Sequence, residues 1–152
     1  MIFFNDIVKQ MPTLLDKLGS MSFVTREYAR KKLPKEGIYV FYENSRPIYV
    51  GRSKNIANRI LNHSRPSSGH NSASFAFLLA KEKAQKNGVD VNATRGNLEN
   101  NPTFSKLYFE AKERVAKMKI KAVEINDHET QAIFEIYASK KLNTQYNNFA
   151  TH

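Results

Sequence analysis

The chain has 152 residues, a formal net charge of +10 and no cysteine. This length suits one domain with a buried core, and the missing thiols exclude disulfides, cysteine zinc ligands and thiol catalysis. The positive charge favours a polyanionic partner, either nucleic acid or an anionic membrane surface, although an inert basic surface would give the same count.

The N-terminal stretch is apolar but is interrupted by Asp6 and Lys9, so it does not predict a signal peptide. No apolar run approaches the length of a membrane-spanning helix. The sequence therefore predicts a cytoplasmic protein with no membrane partner.

The segment before residue 37 is predicted to be helical. Apolar residues at helical spacing predict a helix over 5–18, with Gly19 as its stop. Thr25 is a candidate N-cap for a short second helix that ends before Pro34.

Two apolar runs around a polar centre, "GIYVFYENSRPIYVG" at 37–51, predict a β-hairpin. Side chains alternate between the two faces of a strand, so Tyr39 and Tyr49 each lie on one face of their own strand. A two- or four-residue loop centred on Asn44 and Ser45 would put the tyrosines on opposite faces. A common tyrosine face therefore requires an odd loop or a β-bulge.

Helices and one further strand are predicted after the hairpin. The predicted helices cover 53–64, 75–87, 104–118 and 127–142, the strand covers 119–125, and 89–101 is predicted to be irregular. This order predicts an α+β fold with a small three-stranded mixed or antiparallel sheet flanked by helices.

Several polar residues are candidates for chemistry. Arg52 follows the second strand, and Arg59 and His63 are four apart, so they share a helical face. Glu135 lies among apolar residues of the last helix. It is either a solvated residue or a half-buried carboxylate that needs a cation or a metal.

Together these residues resemble the GIY-YIG nuclease family. The resemblance depends on the motifs "GIYV" and "YVGRS", on an arginine ten residues after the second tyrosine, and on a histidine four residues after that arginine. Near the end, Glu135 precedes Asn147 of "LNTQYN" by twelve residues, as in the family. The resemblance covers roughly 37–63 and 119–147.

The resemblance implies one GIY-YIG-like nuclease domain over 1–152. Residues 1–36 would be an N-terminal helical extension, and 64–118 would be an insertion. The sequence also lacks the proline that usually precedes the "YN" pair in the family.

By the resemblance, Glu135 binds one divalent ion per site, Mg²⁺ or Mn²⁺. Arg59 clamps the scissile phosphate, Arg52 adds positive charge, and Asn147 contributes its amide. These three residues are the predicted DNA-binding set.

A tyrosine is expected to act as the general base, with Tyr39 favoured over Tyr49. Its reference pKa of about 10 is high for this role, but nearby cations favour the phenolate. His63 would relay a proton or contact phosphate.

The sequence thus predicts a metal-dependent DNA endonuclease that hydrolyses one strand per active site, with RNA as the alternative substrate. Double-strand cleavage would need a dimer or two sequential events, and the sequence leaves the oligomeric state open. A non-cleaving nucleic-acid-binding module and a basic partner-binding protein are the rival predictions. The lysine-rich "KEKAQK" and "KERVAKMKIK" are either solvated helix faces or additional DNA contacts.

Overall fold

The computed structural model describes residues 3–149, in two units. The sheet unit runs up to Asn58 and resumes at Met118, and the helical unit is Arg59–Lys117. The predicted domain 1–152 also includes residues 1–2 and 150–152, which lie outside the described residues. The helical unit contains nearly all of the predicted insertion 64–118.

Seven helices and four strands are described within residues 3–149. The helices are α1 (Phe4–Ser20), α2 (Ala29–Lys32), α3 (Ile56–Ser64), α4 (Ser74–Lys86), α5 (Arg95–Glu99), α6 (Pro102–Ala116) and α7 (His128–Leu142). The strands are β1 (Val24–Thr25), β2 (Gly37–Glu43), β3 (Arg46–Ser53) and β4 (Lys119–Glu124), and a 3₁₀ turn covers Arg26–Tyr28. None of these helices combines the length and apolar character needed to cross a bilayer.

The sheet has four strands in the order β1-β4-β2-β3, and every pair is antiparallel. The predicted α+β class is confirmed. The predicted three-stranded sheet is corrected to four strands, because Val24 and Thr25 pair with Ile120 and Lys119. A strand of two residues is too short to show alternation, so its sequence predicted a helix cap instead. The Thr25 side chain makes no capping hydrogen bond.

One sheet face forms the core of the sheet unit with α1 and α7. The apolar stripe of α1 consists of Ile7, Met11, Leu14 and Leu18, at helical spacing. It packs with Val40, Val50, Val123, Phe134 and Ala138, among others. The N-terminal helix is therefore an integral part of this core.

The last helix begins as predicted. The Asp127 carboxylate accepts hydrogen bonds from the Thr130 amide at 2.8 Å and the Thr130 hydroxyl at 2.6 Å. Such an N-cap satisfies amides that have no partner inside the helix. It fixes the start of α7, the helix that carries Glu135.

The helical unit is built on the packing of α4 against α6. Its aromatic centre joins Phe77 to Phe104 at 5.1 Å and to Tyr108 at 5.6 Å between ring centroids. The segment predicted to be irregular, 89–101, contains α5, where the Thr94 hydroxyl accepts from the Asn97 amide. This helix of five residues is too short to show a periodic pattern.

Candidate active site at the edge strand

A β-bulge places the two tyrosines on one face of the hairpin. The turn has two residues, Asn44 and Ser45, both with positive φ, as a type I′ turn requires. The register then shifts between Phe41 and Tyr42, so that Phe41 pairs with Tyr49 and Tyr39 pairs with Gly51. This is the bulge on which a common tyrosine face depended.

Gly51 allows the Tyr39 ring to lie across β3. A Cβ at Gly51 would lie 2.3 Å from both Cζ and Oη of Tyr39, so no larger residue fits without displacing the ring. Tyr49 is two residues from Gly51 on the same face, and its ring is 6.4 Å from that of Phe41. The hydroxyl end of Tyr39, from β2, therefore lies against β3, the edge strand that carries Tyr49.

Asn147 occupies the outer edge of β3. Its Oδ1 accepts from the Val50 amide at 2.8 Å, and its Nδ2 donates to the Val50 carbonyl at 2.8 Å. The Thr144 hydroxyl donates to the same Oδ1 at 2.7 Å. The amide thus pairs with the edge as a neighbouring strand would, and anchors the C-terminal segment beside the tyrosines.

Arg52 and Glu135 lie on the other side of β3. Arg52 lies two residues after Val50 and therefore on the same face of β3. That face packs against α7, the helix that carries Glu135. Burial raises the pKa of the Glu135 carboxyl, and the positive charge of Arg52 opposes this shift. No hydrogen bond of this carboxylate is found within residues 3–149. Glu135 is half-buried, so its ionised form lacks full hydration.

The site fits a hydrated divalent ion better than a metal held by several protein ligands. Residues 3–149 contain no group of three or more histidine or acidic side chains that could hold a metal. Mg²⁺ often takes one or two carboxylates and completes its shell with water and phosphate oxygens. A cation beside Glu135 would offset the desolvation of its carboxylate.

Arg59 and His63 belong to the helical unit. The Arg59 guanidinium donates to the Ser72 carbonyl at 2.8 Å and to the Ser74 hydroxyl at 3.3 Å. Two different nitrogens make these bonds, which orient the planar group and leave other N–H groups for a phosphate.

His63 is fully buried, with its ring 6.3 Å from that of Phe75. Burial, and secondarily the charge of Arg59, lowers the pKa of His63 to about 3. Its imidazole is therefore neutral at neutral pH, with no positive charge to attract a phosphate, and a pKa this low makes it a weak proton acceptor.

The loop that orients Arg59 is fixed by Lys112, which the sequence did not single out. Its buried amine donates to the carbonyls of Pro66 at 2.7 Å and Ser68 at 2.9 Å. Burial lowers the pKa of Lys112, and the charge of Glu99 opposes that effect. The prediction of a solvated face for "KERVAKMKIK" is therefore wrong at Lys112. Lys112 is four residues after the buried Tyr108, so the two side chains share one face of α6. This spacing was the sequence signal that could have predicted a buried Lys112.

The same loop is tied to α5 through His70. Its amide donates to Glu99 Oε1 at 3.0 Å, and its ring Nδ1 contacts the second carboxylate oxygen. A histidine in a Ser- and Asn-rich segment gave no sequence signal for this partner, which lies 29 residues away.

The predicted constellation is thus divided between the two units. The sheet unit brings the following residues to β3: Tyr39, Tyr49, Arg52, Glu135 and Asn147. The helical unit contains Arg59 and His63. Comparison with models of known protein families, with characterised proteins and with solved structures found no match for this chain.

Proposed function

We propose that this protein is a GIY-YIG-like, metal-dependent DNA endonuclease whose reaction takes place at the edge strand β3. The main support is that three features meet at β3: a tyrosine face, an Arg52–Glu135 pair on the opposite face, and an asparagine that binds the edge of the strand. The sequence resemblance concerns the same residues, and the bulge and Gly51 account for the shared face of the two tyrosines.

The proposed chemistry is hydrolysis of one phosphodiester bond. A water oxygen attacks phosphorus, the bond to the 3′ oxygen breaks, and the leaving oxygen takes a proton from solvent. A Tyr39 or Tyr49 oxygen accepts the proton that the attacking water loses. Tyr39 is the base that the resemblance favours; its side chain is buried, whereas that of Tyr49 is partly exposed.

The remaining residues stabilise charge and position the substrate. Arg52 binds a phosphate oxygen at the end of β3. Glu135 would hold the divalent ion, which when bound polarises the phosphate and neutralises developing charge. Asn147 fixes the edge strand and acts on the substrate only through that strand.

The decisive experiment is a nicking assay on supercoiled plasmid with Mg²⁺ or Mn²⁺ and an EDTA control. We expect Glu135→Gln to lower the rate by about 100-fold or more, since it removes the sole proposed protein ligand of the ion. Glu129→Gln is the matched control, because Glu129 is an exposed carboxylate in the first turn of the same helix. Full activity of Glu135→Gln would refute the assignment.

Two further measurements separate the roles. Tyr39→Phe should lose more activity than Tyr49→Phe, while Tyr137→Phe on α7 should be unaffected. Mg²⁺ should raise the unfolding midpoint of the wild type but not that of Glu135→Gln, because only the wild type would bind the ion in its folded state. Metal-independent DNA binding without cleavage would favour the non-cleaving module instead.

A further inference from the structure

A group of exposed cations follows the candidate site along the sheet unit. We call it the α2 basic surface, and its members are Arg30, Lys31, Lys32, Lys35 and Lys54. Helix α2 has only four residues, of which Ala29 is buried and the other three are exposed and basic. The short helix therefore presents positive charge over its whole solvent-facing side.

Two hydrogen bonds tie this segment to the start of α3. The Ile56 amide donates to the Lys35 carbonyl at 2.8 Å. The Arg30 guanidinium donates to Asn58 Oδ1 at 3.0 Å. Lys54 lies two residues before Ile56, so the contacts bring cations from separate parts of the chain onto one surface.

The charges of this surface are not neutralised by ion pairs. Within residues 3–149, none of its five cations forms an ion pair with a carboxylate. Glu27 and Glu36 lie next to the segment in sequence, and they leave a clear positive excess. Such a surface attracts a polyanion.

Side chains, rather than backbone amides, are the groups available for that polyanion. The Asn55 amide already donates to Ser53 Oγ at 2.9 Å, and the Asn58 amide donates to Asn55 Oδ1 at 3.1 Å. Because the Ile56 amide is also bonded, the start of α3 does not present a set of unbonded amides for anion binding.

The surface begins where the candidate site ends. Arg52 is exposed at the end of β3, and Lys54 follows two residues later, at most about 7 Å of chain away. The exposed ring of Tyr28 has the Lys32 amine over it at 4.9 Å, so this aromatic face already has a cationic partner. Base stacking is thus less favoured here than contact with a regular phosphate backbone.

We propose that the α2 basic surface binds the phosphate backbone of duplex DNA beside the phosphate that reacts at β3. The inference rests on the proposed function, since it takes DNA to be the substrate of that site. Binding is sequence-independent and strongly salt-dependent, because it is made by lysine and arginine contacts to phosphate.

The test is the binding of a short fluorescent duplex, measured by anisotropy in EDTA over a salt series. One variant combines Lys31→Gln, Lys32→Gln, Lys35→Gln and Lys54→Gln. The control combines Lys9→Gln, Lys17→Gln, Lys140→Gln and Lys141→Gln, which removes the same charge from exposed positions of α1 and α7. Circular dichroism and thermal unfolding check that both variants fold.

We expect the first variant to flatten the plot of log Kd against log salt by about 3 to 4 units, since the slope falls by about 0.9 for each phosphate that the protein no longer neutralises. Its affinity at low salt should fall at least about tenfold, and the control should change the slope by less than about 1 unit. Equal losses in both variants, no duplex binding by the wild type, or equal binding of single strands or duplex RNA would overturn the proposal.

The endonuclease proposal and the DNA-binding surface can be contradicted independently of each other. A wild type that binds duplex through this surface in EDTA but never nicks with Mg²⁺ contradicts the endonuclease and leaves the DNA-binding surface in place. Nicking that is unchanged in the first variant, together with unchanged duplex affinity, contradicts only the surface.

Discussion

The buried Lys112 of the helical unit and the half-buried Glu135 of the sheet unit differ in their hydrogen bonding. In the helical unit, Lys112 donates to two loop carbonyls, and Arg59 donates to Ser72 and Ser74. In the sheet unit, Glu135 is half-buried without a hydrogen bond in residues 3–149, and Arg52 is exposed at the end of β3.

The difference indicates which polar groups the fold itself requires. A buried polar group that is fully bonded stabilises the folded state, and its loss leaves partners unsatisfied. A desolvated carboxylate without such bonds costs stability. Substitutions of Lys112 and Glu135 should therefore have opposite effects on stability.

The largest effect is expected at Lys112, where the helical unit depends on one buried amine. Lys112→Met would leave the Pro66 and Ser68 carbonyls without their donor, so we expect the free energy of unfolding to fall by about 2–4 kcal/mol. Chemical denaturation would measure this, with Lys106→Met on the exposed side of α6 as the control. A change as small as that of the control would remove the contrast between the units.

The next largest effect on stability is expected at Gly51, where the Tyr39 ring fills the space that a side chain would need. Gly51→Ala would place a Cβ 2.3 Å from the Tyr39 ring. We expect a loss of about 1–3 kcal/mol from overpacking, together with loss of nicking. Gly19→Ala is the control, because no atom lies within 4 Å of its new Cβ. Its helical position in α1 should instead make the substitution stabilising. Unfolding curves that coincide for the two variants would contradict the predicted position of the Tyr39 ring.

A smaller change in stability is expected at His63 as the pH falls. Its pKa is lowered to about 3 in the folded state, so the unfolded chain binds a proton first as the pH falls below about 6.5. The stability that the neutral imidazole contributes is present above that pH and is lost towards pH 3. From about pH 7 to 5.5, wild type should lose about 1–2 kcal/mol relative to His63→Gln. His128→Gln, at an exposed position, should keep the wild-type pH dependence. A parallel pH dependence of wild type and His63→Gln would refute the buried neutral state.

The smallest effect, of opposite sign, is expected at Glu135. Because its pKa is raised in the folded state, the folded chain takes up the proton first as the pH falls. The cost of the ionised carboxylate is present above the folded pKa and disappears below the unfolded value of about 4.3. Without metal, Glu135→Gln should be more stable than wild type near pH 7 by less than about 1 kcal/mol, with no difference near pH 4. Denaturation in EDTA at both pH values would measure this, and a less stable variant at pH 7 would contradict it.

Local sequence determined much of the fold. Apolar spacing predicted α1, α4, α6 and α7, and alternation predicted β2, β3 and β4. These features depend on residues within a few positions of each other, so a single chain segment contains the necessary information. The two-residue β1 and the five-residue α5 were missed because neither is long enough to show a periodic pattern of apolar residues.

The candidate site was determined only in part by sequence. The family resemblance identified Tyr39, Tyr49 and Glu135, and parity of the hairpin showed that an odd loop or a bulge was needed for a common tyrosine face. Only the tertiary structure decided that the bulge occurs, that Gly51 accommodates the Tyr39 ring, and that Asn147 binds Val50 from 97 residues away. It also decided that Lys112 is buried. Such contacts join distant segments, and their free energies depend on burial and partners that no local pattern encodes.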